Sequence, residues 1–217
     1  MAPNDSSPCN AFFRYYLLVW GCLALLMAGL LLGGVGPKDF LLSESGPIEL
    51  ASAAGYLLCA IAIWRLASGW PGRWHAVVVM VLFALRELDF HSRFTSMNVS
   101  KIKFYLSPDV PVPEKLVGGA VVLWFFYAAY RLFRLEGRTW LDELLHRRAC
   151  AYGVLFAMLC VVISKSLDGF ARKLSALGLQ VSAEAGTLAS IFEEVLELGI
   201  PVMVGLAIFC YSRHGRG

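Results

Sequence analysis

Ala76-Val77-Val78-Val79-Met80-Val81-Leu82-Phe83-Ala84-Leu85-Arg86-Glu87-Leu88-Asp89-Phe90-His91 decides how this chain folds. An unbroken apolar run ends in four ionisable side chains, Arg86, Glu87, Asp89 and His91. The run reads as a membrane-crossing helix, where a charge near the centre costs about 2.5–3.5 kcal/mol per residue. Ionisable groups at such depth point to function unless partners neutralise them. A second cluster, Glu193-Glu194-Val195-Leu196-Glu197, interrupts the last apolar segment. The expectation is that the two clusters meet in space.

The rest of the chain supports a membrane setting. It has 217 residues, 58% hydrophobic and only 16% charged, with a mean hydropathy of +0.64. Soluble domains carry about 25% charged residues. The fold class expected is therefore all-α, a polytopic bundle in one integral membrane domain over 1–217. A formal net charge of +3, with no basic patch interleaved with aromatics, argues against a nucleic-acid partner. The six cysteines include Cys22, Cys59, Cys160 and Cys210 inside apolar runs, Cys150 at the start of one, and no C-x-x-C. They read as free thiols behaving as small hydrophobes.

Six spans follow from the apolar runs, at 12–34, 47–67, 74–90, 114–130, 149–166 and 187–211. Gly46-Pro47-Ile48-Glu49 opens the second as a helix start, with Pro at the first helical position and Glu facing the free N–H groups. Between the third and fourth lies a loop whose Pro108, Pro111 and Pro113 predict an extended chain. Arg131 to Arg148, with its Trp140/Leu141/Leu144/Leu145 pattern, predicts a separate amphipathic helix on the membrane surface. Phe170 to Leu179 predicts a shorter one. No internal repeat is present.

Six spans place both termini on one side. Ten of the 19 lysines and arginines then share that side, all of them arginines: Arg14, Arg65, Arg73, Arg131, Arg134, Arg138, Arg147, Arg148, Arg213 and Arg216. By the positive-inside rule this is the cytoplasm, and the localisation expected is a bacterial inner membrane. Twelve of the 16 acids fall on the opposite side. Arg86, twelve residues into its span, lies about 18 Å along it. Glu49, Arg86, Lys165, Asp168 and the Glu193–Glu197 cluster thus converge on one layer in the non-cytoplasmic half.

The layer can support several chemistries. Glu87, Asp89, His91, Glu193, Glu194 and Glu197 are the catalytic candidates, because neighbouring buried carboxylates can divide into a proton donor and an ionised partner. Arg86, Arg93, Lys165, Asp168 and Glu49 are the substrate-binding candidates. Glu194, Glu197, Asp89 and His91 would suit a divalent cation, with Mn²⁺, Mg²⁺, Ca²⁺ or iron preferred to Zn²⁺ because the set is rich in oxygen. Each also has a bland reading: Glu49 as a helix cap, Arg86 with Asp89 as an ion pair, His91 as an interface hydrogen-bonder. Serine nucleophile elbow, phosphate loop and H-E-x-x-H motifs are absent.

Glu44-Ser45-Gly46-Pro47-Ile48-Glu49, Glu87-Leu88-Asp89-Phe90-His91-Ser92-Arg93-Phe94 and Glu193-Glu194-Val195-Leu196-Glu197 together resemble an uncharacterised family of bacterial multi-pass inner-membrane proteins. They are more faintly similar to the alkaline ceramidase-like membrane hydrolases, which place an acidic motif at a helix start. That resemblance implies a zinc site with three histidines, of which this layer offers His91 alone. Three functions stay open. One is an enzyme, metal-assisted or not, acting on a lipid or lipid-linked substrate. The others are a non-catalytic accessory or assembly protein and a proton- or cation-coupled transporter.

Overall fold

The computed structural model describes residues 8–33, 40–41, 46–90, 94–95, 97, 99, 102–176, 178–180 and 182–214. His91, Arg93 and Lys101 lie outside them. The described residues form helices and no strand: α1 (Pro8–Leu32), α2 (Pro47–Leu66), α3 (Arg73–Glu87), α4 (Ile102–Leu106), α5 (Val112–Leu145), α6 (Ala149–Leu167), α7 (Phe170–Ala176) and α8 (Ala183–His214). The chain is an all-α polytopic bundle. Five helices are long and apolar enough to cross a membrane: α1, α2, α5, α6 and α8. The third sequence segment differs. α3 has 15 residues, a rise of about 22 Å, against a hydrocarbon core of about 30 Å.

α8 is the hub and packs on α6, α2 and α1. Half of its most apolar window is buried, against 11% for α5, which sits at the periphery. Ile191, Val195, Ile200 and Met203 of α8 form the centre of the core. Two close approaches set the spacing. A Cβ on Gly55 would stand 2.9 Å from Pro201, and one on Gly153 would stand 2.9 Å from Ala207, so α2 and α6 each bring bare backbone to α8. Cys59 adds a bond across the first contact, its Sγ donating to the Pro201 carbonyl at 3.2 Å.

α2 begins as its sequence predicts, with Gly46 as N-cap and Pro47 in the first turn. Its partner α3 returns antiparallel after the short turn 67–72 and ends at Glu87, three residues before the expected end at Phe90. Asp89 takes a left-handed φ of 43° just beyond, which continues no helix.

Three further expectations are corrected. The amphipathic segment from Arg131 is not a separate helix, because α5 runs on to Leu145. Its Arg, Glu and Leu residues are good helix formers, and a single glycine, Gly137, is too weak a break. The turn comes instead at Arg147, whose φ is 55°, and Trp140 Nε1 donates to the Ala151 carbonyl at 3.0 Å to fasten α5 to α6. The proline-rich loop is not extended throughout. It folds α4, whose Phe104 is fully buried against the face of Gly118, and Lys115 Nζ donates to the Ser107 carbonyl at 2.7 Å.

The third correction concerns the cysteines. Cys59 and Cys160 are free and buried and Cys22 is free and exposed, but Cys150 and Cys210 form a disulfide. α6 and α8 run antiparallel, so the first turn of one meets the last turn of the other, with a Cα–Cα distance of 5.4 Å. A separation of 60 residues hides that meeting from any local spacing rule.

Candidate functional site

The two charged clusters do meet. Glu197 of α8 is buried, and its Oε1 accepts from Arg86 Nη2 of α3 at 3.0 Å and from Lys165 Nζ of α6 at 2.8 Å. Arg86 Nη1 also donates to Glu87 Oε1 at 3.1 Å. Lys165 lies 3.8 Å from Asp168 Oδ2. Three helices are tied through one carboxylate.

The local sequence explains this arrangement. Glu193 and Glu197 stand one helical turn apart, and Glu194 is three residues from Glu197, so all three fall on neighbouring faces of α8. Val195 and Leu196 between them are buried in the core, which keeps the acids at the bundle's interior depth. Pro201 follows one turn later. It has no N–H to return to the Glu197 carbonyl, so an interior α8 hydrogen bond is lost at the layer. Lys165 and Arg86 each sit in the last turn of their helix, where a cation is favoured by the helix dipole.

Burial separates the groups into two sets. The side chains of Glu87 and Glu197 are 4% and 7% exposed, whereas Arg86 and Lys165 are each 38% exposed. The buried acids are thus matched by cations that keep one side open. Glu193, Glu194 and Glu49 are half-buried. Glu193 interacts electrostatically with Asp168, Glu197 and Lys165, and Glu194 with Glu197 and Glu49. Three further acids, Glu49, Glu193 and Glu194, therefore lie at the edge of a network whose two cations are already engaged by Glu87, Glu197 and Asp168.

Of the residues singled out in the sequence, Glu49, Arg86, Glu87, Lys165, Asp168, Glu193, Glu194 and Glu197 come together. Asp89 lies past the end of α3, half-buried. His91 and Arg93 are outside the described residues. Among the described residues, which do not include His91, no three His, Cys, Asp or Glu side chains are placed to hold an ion. Glu197 Oε1 is engaged by two cations, the Arg86 guanidinium and the Lys165 ammonium.

One residue escaped the sequence reading. Tyr56 of α2 is fully buried and interacts electrostatically with Glu87, Glu197 and Arg86. The signal was present, since Glu49, Ser52, Tyr56 and Cys59 repeat at helical spacing and share a face. Ser52, in the middle of that face, is satisfied locally by donating to the Ile48 carbonyl at 3.0 Å.

Comparison with protein-family models, with curated proteins and with solved structures gives no match. The class defined by fold and site together is a polytopic helical membrane protein with an ionic network at the junction of α3, α6 and α8.

Proposed function

We propose that this chain is a bacterial inner-membrane protein whose ionic layer, in the non-cytoplasmic half of the bundle, acts on a lipid or lipid-linked substrate. One observation carries the reading: Glu197 holds Arg86 and Lys165 side by side while both cations stay partly open. A purely structural ion pair has no need of three further acids at its edge. Cations fixed by a buried carboxylate are pre-oriented to receive a polar headgroup, and the half-buried Glu193 and Glu194 stand ready to exchange a proton with it. The layer lies where headgroup and acyl chain meet. The arginine-rich end is cytoplasmic, α3 completes the sixth crossing as a short, locally thinned span, and the resemblance in the three acidic motifs agrees with this setting.

The non-catalytic reading is supported by the pairing itself. Arg86 is matched by Glu87 and Glu197 and Lys165 by Glu197 and Asp168, and such pairs can fix helix packing without chemistry. Lipid analysis separates the two. Cells producing the full chain and cells producing Glu194→Gln are extracted and compared by mass spectrometry. At least one lipid or lipid-linked species should shift with the natural chain, and the variant should return it to the control level by slowing turnover about 100-fold or more. Identical extracts from the two, at equal protein levels in the membrane, would leave the accessory reading in place.

A further inference from the structure

Among the described residues the hydroxyl of Tyr56 has no hydrogen-bond partner, although the residue is fully buried. Buried phenols nearly always find one, so an orphan in the middle of an ionic layer calls for an acceptor that the described residues do not supply. Its direction is fixed by packing. The ring stacks on Phe83 at 5.4 Å and 20°, one turn before Glu87. The neighbouring Gly55 abuts Pro201, one turn after Glu197. Helical side chains lean toward their own N-terminus, which in α2 is the end bearing Glu49. The hydroxyl is thus aimed into the layer, where Glu87, Glu197 and Arg86 act on it.

The charges around it select the ligand. A purely anionic headgroup would meet Glu193, Glu194 and Glu49. A purely cationic one would meet Arg86 and Lys165. A group carrying both signs satisfies both sets. Resting on the lipid-site reading above, we propose that the layer takes a zwitterionic phospholipid headgroup. Its phosphate faces Arg86 and Lys165, its ammonium faces Glu193 and Glu194, and Tyr56 donates to a headgroup oxygen at the deep end. Tyr56 is then a ligand-binding residue.

The full chain, purified in detergent and stripped of lipid, is titrated with dioleoylphosphatidylethanolamine, dioleoylphosphatidylcholine and dioleoylphosphatidylglycerol, with binding read by native mass spectrometry. The two zwitterionic lipids should outcompete phosphatidylglycerol, and Glu194→Gln should erase that preference. Tyr56→Phe should weaken both by about tenfold, with a melting temperature at or above that of the natural chain because an orphan hydroxyl is gone. A preference for phosphatidylglycerol that Arg86→Gln abolishes would overturn the zwitterion and leave the lipid site standing. Equal binding of all three lipids, unmoved by Arg86→Gln, Glu194→Gln or Tyr56→Phe, would overturn both. A Tyr56→Phe chain that melts lower yet binds lipid unchanged would assign the hydroxyl to packing and overturn its role as donor.

Discussion

Glu197 and Lys165 stand 2.8 Å apart across the α6–α8 interface, and the same carboxylate oxygen also takes Arg86 from α3. Neither contact is local in sequence. The oxygen is the point at which three helices lock in register, and it gives neighbouring glutamates on α8 different duties.

Glu197 and Glu194 should therefore respond differently to the same change. Glu197→Gln removes the carboxylate shared by Arg86 and Lys165, leaving only Glu87 to the first and Asp168 to the second, and is expected to destabilise the bundle by about 2–3 kcal/mol. Breaking a fully buried pair costs about 3–5 kcal/mol, and here both cations keep access to solvent or headgroups. Glu194→Gln removes a carboxylate whose electrostatic reach is to Glu197 and Glu49, and should melt within a degree or two of the natural chain, about 0.5 kcal/mol or less. Thermal unfolding of the two variants in one detergent makes the comparison.

The Gly55–Pro201 contact fixes how near α2 comes to α8. Gly55→Val would drive branched carbon into a ring 2.9 Å from the Cβ position. Overpacking of that kind costs about 1–3 kcal/mol, and it should also break the Cys59–Pro201 bond next to it. A lower melting temperature is expected, together with faster alkylation of Cys59 by a membrane-permeant maleimide.

Cys150 and Cys210 join the ends of α6 and α8. Replacing both with serine should lower stability by about 2–4 kcal/mol, and a reducing agent present while the chain unfolds, when the pair becomes accessible, should lower the natural chain's melting temperature to match. The pair lies at the arginine-rich end, where a cytoplasmic placement would expose it to cellular reductants. Cys210, 2% exposed, is shielded from them between the helices.

Reporter fusions settle that placement. Fusions after Gly36 and Pro108 should report the outer side, and fusions after Gly72 and His146 the cytoplasm. The reverse pattern would invert the molecule and put the disulfide in an oxidising compartment, leaving the ionic layer itself unchanged.

The sequence shows membrane character and most helix positions directly, because a span declares itself through length and apolarity. The start of α2 at Pro47 and the short α7 follow from local chemistry. The convergence of Arg86 with Glu197 was legible too, since buried charges in a lipid setting must find one another. What stayed hidden depended on tertiary placement. The disulfide needed the antiparallel return of α8 along α6. The burial of Phe104 needed a glycine on α5 to receive it. Tyr56 looked like one apolar residue among many until its neighbours Glu87 and Glu197 were in place. The unbroken α5 was legible in principle, but the change from apolar to arginine-rich composition at Arg131 mimics a helix boundary where the backbone has none.

One buried oxygen couples α6 to α8, and a double-mutant cycle measures this directly. The natural chain, Lys165→Met, Glu197→Gln and the double variant are unfolded reversibly in mixed micelles. The double variant should lose less stability than the two single losses combined, with a coupling of about 1–3 kcal/mol. Losses that add to within about 0.5 kcal/mol would mean that Lys165 and Glu197 act independently, and would contradict that coupling.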